Sequence, residues 1–164
     1  MQEIAARRIL QTPIGMVSIA ASERGITNLE FLSGRSRLQD FATSQHAKSL
    51  VENAAKQLNE YFAGKRKSFE LVFDLQGTKF QLSVWQQIQK IPFGRTTSYG
   101  DIARLIRKPQ AARAVGGAVG ANPIAIFIGC HRVMGSSGKL TGYSGGKGLP
   151  TKRKLLELEG IKYR

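Results

Sequence analysis

Cys130 is the only cysteine in the 164 residues, and His131, one of two histidines, follows it directly. A thiol becomes a strong nucleophile once it loses its proton, and a base or nearby cations favour that state. Arg132 and several lysines are close in sequence. Glu159 closes the segment "TKRKLLELEG", where the dipole of a helix end disfavours a carboxylate by about a few tenths of a kcal/mol. A partner such as His131 would offset that. Neighbours in an extended chain point opposite ways, so the thiol and imidazole are expected to connect through water rather than directly. The plainer reading, that Cys130 is a small buried hydrophobe, is the better one for an arbitrary lone cysteine. Its position between the apolar run "IAIFI" and the glycine-rich "GSSGKLTGYSGG" favours chemistry. One Cys and two His cannot build a four-ligand zinc site, so neither metal nor cofactor is expected.

Positioning these groups requires a chain of two parts. Residues 4–32 hold three short apolar segments separated by "TPIG" and "SERG", the pattern of an antiparallel meander. Residues 47–65 show helical spacing, with Leu50, Val51, Ala54, Leu58, Tyr61 and Phe62 on one face and Gly64 as the stop. "KSFELVFDL" reads as one more strand. "QGT" at 76–78 marks the boundary, giving parts 1–77 and 78–164. The fold class is α+β: a small sheet-and-helix part, then a mainly helical one.

In the second part, Phe80, Val84, Trp85, Ile88 and Ile91 fall at helical spacing, and Trp85 reads as core. The next helix starts at Ser98, with Asp101 placed to reach back to the Ser98 amide. After the connector "RKPQ", residues 111–122 form a further helix that ends at Asn122-Pro123. Two helices so closely joined resemble a helix-turn-helix. The second of them is unusual. Ala111, Val115, Ala118 and Val119 make its apolar face, while Arg113, Gly116, Gly117 and Gly120 run along the other. Three interior glycines cost roughly 3 kcal/mol relative to alanine. Either the bare backbone approaches a narrow groove beside one projecting arginine, or it packs tightly against a neighbouring helix. The sequence leaves both open. "IAIFI" then reads as a buried strand ending at Cys130, with the following loop as a flexible pocket wall.

Charge is distributed unevenly. Residues 1–77 carry ten Lys/Arg and eight Asp/Glu, whereas 78–164 carry fifteen and three, so nearly all of the net +14 belongs to the second part. Such a part suits a polyanion, with nucleic acid first and an acidic membrane surface second. No segment reads as a signal peptide, and "IAIFI" is too short to span a membrane. A lone cysteine cannot form an intramolecular disulfide, which points to a reducing, intracellular setting, and the expected localisation is cytoplasmic.

With these residues in place, the chain is similar to the O6-alkylguanine-DNA alkyltransferases, or methylated-DNA–protein-cysteine methyltransferases. Their Pro-Cys-His-Arg-Val signature is matched by "GCHRV" at 129–133. The likeness extends through "VWQQIQKIPFGRTTSYGDIA", "RAVGGAVGANPIAI", "GSSGKLTGYSGG" and "KLLELEG", nearly all of 78–164 in order. It is weaker in the first part, where some relatives carry a zinc site whose ligands this chain lacks.

The resemblance implies DNA repair on double-stranded DNA containing O6-alkylguanine, with O4-alkylthymine as a second substrate. The alkyl group passes irreversibly to Cys130, once per molecule. It implies a winged or helix-turn-helix motif bound in the minor groove, with Arg113 filling the space of a flipped nucleotide. Tyr99, Ala112, Ala114, Gly116 and Ser136 would also contact DNA. Val133, Tyr143, Ser144 and Gly145 would hold the base, with the backbones of Val133 and Ser144 reading it. Glu159, His131 and a water molecule would take the thiol proton, Tyr99 would donate to the leaving guanine, and Asn122 would brace the turn before the cysteine. No membrane or obligate protein partner is implied, and association with the nucleoid is. Two departures stand out. Gly129 replaces the family's proline, and Lys147 stands where many relatives have an apolar residue. The other readings are a non-catalytic alkyltransferase-like lesion-binding protein, whose known relatives lack the cysteine, and a cysteine hydrolase, which needs an oxyanion hole.

Overall fold

The computed structural model describes residues 3–143 and 145–164. The chain divides into two compact units, Met1–Gln76 and Gly77–Arg164.

The first unit is built on β1 (Ala6–Thr12), β2 (Gly15–Ala21) and β3 (Ile26–Phe31), an antiparallel meander as its turn residues suggested. A two-residue strand, β4 (Phe41–Ala42), adds to the free edge of β1, giving the order β3-β2-β1-β4. Helix α1 (Gln45–Phe62) begins where the Ser44 side chain accepts from the Ala47 N–H. Its buried residues include Val51, Ala54, Leu58 and Tyr61 of the expected face, while Leu50 and Phe62 are half-buried at its margin. Segment 67–75 is not the strand its apolar spacing predicted. It touches the sheet at a single parallel bridge, Ile26 to Phe73. Upstream, the buried Gln57 side chain takes both backbone groups of Glu70, donating to its carbonyl at 3.1 Å and accepting from its N–H at 2.9 Å. Those groups are therefore not available for a β-ladder.

The second unit starts with α2 (Lys79–Gln89), closed by a reciprocal capping box between Thr78 and Gln81. Its core residues are Val84, Trp85 and Ile88. The Trp85 indole donates to the Ala118 carbonyl at 2.8 Å and so ties α2 to α4 (Ala112–Gly120). Between them, β5 (Thr97–Ser98) leads into α3 (Tyr99–Leu105). There Ser98 Oγ accepts the Asp101 N–H at 3.0 Å, while the Asp101 carboxylate pairs with Arg104 one turn on. β5 pairs in parallel with β6 (Val133–Met134). The chain closes with α5 (Leu149–Leu158), two residues earlier than its sequence pattern began, with Pro150 in its first turn. No helix among the described residues is long and apolar enough to cross a membrane.

Segment 124–128 is as buried as expected but is not a strand. Asn122 explains why. Its side chain donates to the Ile128 carbonyl at 2.8 Å and accepts from the Ile124 N–H at 3.0 Å, closing the segment into a loop. Inside the loop, the Phe127 N–H donates to the Ala125 carbonyl around Ile126, whose φ is 71°. An i→i+2 bond about a positive φ marks the rarer, strained γ-turn. Gly129, at φ −72° and ψ 60°, centres an inverse γ-turn in which the Cys130 N–H donates to Ile128. Two tight turns thus consume an apolar run long enough to have been a strand.

Candidate active site

Cys130 does not sit at a strand end. It opens a single 3-10 turn, Cys130–Arg132, which begins directly from the inverse γ-turn. In that turn His131 and Arg132 both aim at Glu159. His131 Nε2 lies 2.6 Å from Glu159 Oε2; Arg132 Nε donates to Oε1 at 2.9 Å and a terminal guanidinium nitrogen donates to Oε2 at 3.0 Å. The Gly94 N–H adds a fourth donor, to Oε1 at 3.0 Å. Arg132 is further pinned by donating to the Ile91 carbonyl at 2.8 Å.

Burial alone would raise the Glu159 carboxyl, but hydrogen bonds from His131 and Arg132, with their charges, hold it at about 2. It is an anion at every working pH. Burial lowers the His131 value and outweighs the pull of Glu159, so the imidazole is neutral at rest. A neutral ring facing a carboxylate through Nε2 carries its proton there, leaving Nδ1 as an acceptor. Nδ1 is fully buried and has no partner among the described residues. The ring is therefore set up as a base.

The thiol is not the pre-formed thiolate that nearby cations suggested. Burial dominates and raises it, against hydrogen bonds with Asn122 and Tyr143 and the charge of Lys152. Arg132 is committed to Glu159. Among the described residues, the cation whose charge favours the thiolate is Lys152, which sequence reasoning missed. It is 1 % exposed, donates to the Val133 carbonyl at 2.7 Å, and is lowered by burial to about 8. The signal was present: Lys152 precedes the buried Leu155 and Leu156 by three and four positions, so it lies on the inward stripe of α5.

Cys130 forms one wall of a cavity of about 350 Å³, with Tyr99, Gly116, Val119, Gly120, Gly142 and Tyr143 around it. That volume is of the order that a small, flat molecule fills. The structure also decides between the two readings of the glycine helix. A Cβ at Gly117 or Gly120 would meet nothing within 4 Å, and one at Gly116 would only touch the Tyr99 ring at 3.9 Å. Among the described residues no helix packs on Gly117 or Gly120; the Tyr99 ring of α3 lies beside Gly116, and Gly116 and Gly120 border the cavity.

Other expected residues lie apart. Arg113 and Ala114 are exposed on α4, and Ala112 begins that helix half-buried. Ser136 is exposed and lines a separate polar cavity with Thr96, Ser98 and Gly135. Val133 is fully buried and does not line the Cys130 cavity; its N–H donates to the Cys130 carbonyl. Its carbonyl accepts from the Lys152 ammonium. The Gly145 carbonyl accepts from the Gly148 N–H at the start of α5. Ser144 lies outside the described residues.

Residues 79–161 match the family described as 6-O-methylguanine DNA methyltransferase, DNA binding domain, and residues 6–75 match its ribonuclease-like domain. The chain is 48% identical to the methylated-DNA–protein-cysteine methyltransferase of Methanosarcina barkeri, over 92% of this chain and 94% of that one. It is 44% identical to the constitutive enzyme of that name from Bacillus subtilis, over 94% of each. Its fold is similar to that of Mycobacterium tuberculosis OGT in complex with DNA, with a TM-score of 0.80 and 50% identity, covering 93% of this chain and 91% of that chain. A likeness that runs through both units, and includes the turn presenting its one thiol, settles the matter: the chain belongs to the 6-O-methylguanine DNA methyltransferase family.

Proposed function

We infer that the protein repairs DNA by moving an alkyl group from O6-alkylguanine to Cys130, and that residues 78–164 hold all of the chemistry. One observation carries this reading: the only thiol lines a base-sized cavity, and the buried imidazole that follows it in the chain has a ring nitrogen, Nδ1, with no partner among the described residues. The thiol proton passes through water to His131 Nδ1, and the Glu159 anion stabilises the imidazolium that forms. Sulfur then forms a bond to the alkyl carbon as the carbon–O6 bond breaks. The electron pair leaves with the guanine, where a hydrogen bond from Tyr99 eases its charge. A neutral resting thiol suits this order, because deprotonation is coupled to a bound substrate.

The product is a thioether, so each molecule acts once. Such a site can reach a base only after the base leaves the duplex. Exposed Arg113, projecting beside the bare face of α4, fills the gap left in the stack from the minor groove, while Ala112, Ala114, Gly116 and Ser136 border the strand. Val133, Tyr143, Ser144 and Gly145 hold the flipped base, and Asn122 braces the turn that aims the thiol. A protein with this substrate works at the nucleoid, in the cytoplasm.

Incubation with duplex DNA containing O6-methylguanine should add one methyl group to Cys130, once per chain, as seen by intact mass and peptide mapping. Cys130→Ala should bind the same DNA without gaining mass. Methylation elsewhere, or product release with turnover, would refute the reading.

A further inference from the structure

Tyr99 makes a second contact that the reaction above does not use. Its hydroxyl lies 2.8 Å from Thr141 Oγ1, on the loop that leads to Tyr143. Both partners are firmly placed. The Tyr99 ring opens α3 and runs past Gly116 of α4. The Thr141 methyl fills the space a side chain at Gly135 would need: a Cβ there would fall 2.9 Å from it. The Gly135 N–H is in turn tied to the Lys139 carbonyl at 2.9 Å.

The direction of this bond matters, because a phenol has one proton and can accept as well as donate. If Tyr99 donated to Thr141, nothing would remain for a base in the cavity. If Thr141 donates, the phenol proton is turned into the cavity, and the phenol oxygen is already hydrogen-bonded where negative charge will build. Hydrogen bonds in such a chain strengthen one another.

We propose that Thr141 is a positioning residue for Tyr99: its hydroxyl donates to the phenol oxygen, directs the phenol proton at the departing guanine, and stabilises the charge passed back through the phenol. This rests on the reading that Tyr99 donates to the leaving base. Thr141 is not among the residues that line the cavity beside Cys130. Its effect therefore grows with the charge the purine must carry away, and it belongs to the transition state rather than to binding.

The test uses the full chain and free O6-benzylguanine with ring-substituted analogues that leave more or less readily. Single-turnover formation of benzylated Cys130 is followed by mass. Thr141→Val keeps the methyl contact with Gly135 and loses the hydroxyl. It should lower the maximal rate about tenfold for the poorest leaving group and little for the best, with half-saturation unchanged. Thr141→Ser should restore the wild-type dependence. Tyr99→Phe should be at least as sensitive to the leaving group, and adding Thr141→Val to it should change nothing more. If Tyr99→Phe steepens the dependence but Thr141→Val does not, the role of Thr141 is refuted and that of Tyr99 stands. If Tyr99→Phe leaves the dependence unaltered, both fail. A Thr141→Ser protein that remains slow would assign the effect to the methyl and overturn the proposal.

Discussion

Lys152 buries its ammonium against Val133, donating to that carbonyl at 2.7 Å in a site that leaves the lysine 1 % exposed. Burial lowers it from 10.5 to about 8. Between those values the unfolded chain still holds a proton that the folded chain has released, so folding stability rises with pH across the window. Below pH 8 the cost of the buried charge is fully present. The stability of the wild type relative to Lys152→Met should therefore be flat up to about pH 8 and increase towards 10.5. Urea unfolding at a series of pH values measures it, and a flat difference throughout would mean the lysine titrates normally. Since the ammonium also favours the thiolate, Lys152→Met should slow capture of Cys130 by iodoacetamide at neutral pH.

Glu159 answers to four donors, two of them from the same guanidinium. Glu159→Gln leaves Arg132 buried without its counter-charge and should cost about 3–5 kcal/mol. The acid limb of stability should change too. The Glu159 carboxyl drops from 4.5 to about 2 on folding, so its contribution is present above 4.5 and is lost as pH falls towards 2. The His131 value is also depressed, so the unfolded chain takes up a proton below about 6.5 that the folded chain refuses, and stability declines from there. The wild type should weaken below pH 6.5 and more steeply below 4.5, while Glu159→Gln should keep the first decline and lose most of the second, the lowered Asp101 leaving a remnant of it. An unchanged slope below 4.5 in the variant would contradict the assignment.

Ile126 is fully buried, yet it has a φ of 71°. Truncation to alanine should cost about 2–5 kcal/mol through lost packing. Glycine loses slightly more side chain but adopts positive φ without penalty, whereas a Cβ there costs roughly 1–2 kcal/mol. Ile126→Gly should therefore be more stable than Ile126→Ala by about 1 kcal/mol, the reverse of the usual order. Equal stabilities in denaturant would show that the γ-turn relaxes at little cost.

Gly129 already holds φ at −72°, a value proline shares, and its N–H makes no hydrogen bond among those of the described residues. A Cβ there meets the Arg132 side chain at 3.1–3.2 Å, and Arg132 is pinned by Glu159 and Ile91. The contact offsets the gain from a stiffer unfolded chain, so Gly129→Pro should be tolerated with little net change. Gly129→Ala meets the same contact without fixing φ, so the proline variant should exceed it by about 0.4–1 kcal/mol. Single-turnover alkyl transfer should be fastest in Gly129→Pro, where the thiol is best held. A proline variant less stable than the alanine one would show that this turn needs a shape proline cannot adopt.

These sites differ in how far the sequence revealed them. The meander was legible because "TPIG" and "SERG" are turn chemistry acting locally, and Ser98 announced α3 by the same kind of short-range bond. Segments 67–75 and 124–128 were misread for one shared reason. In each, a distant or side-chain amide, from Gln57 or Asn122, takes backbone groups that a strand would have paired. Hydrophobic spacing carries no trace of that. The thiol, imidazole and carboxylate were found by residue type. Their electrostatics were not, because burial rather than charge sets the thiol, and the lysine whose charge acts on it comes from α5.

The open face of α4 bears on how such a chain can change over generations. No described residue stands within 4 Å of a Cβ at Gly117 or Gly120, so alanine fits at both and should add up to about 1 kcal/mol at Gly117, inside the helix, and less at Gly120, its last residue. A screen that rewards heat resistance alone will collect those substitutions early. A screen that rewards survival under alkylating agents should discard the one at Gly120, because its methyl would sit at the wall of the cavity proposed to hold the lesion. The identity of that position in a laboratory lineage therefore shows which hardship it has been bred against.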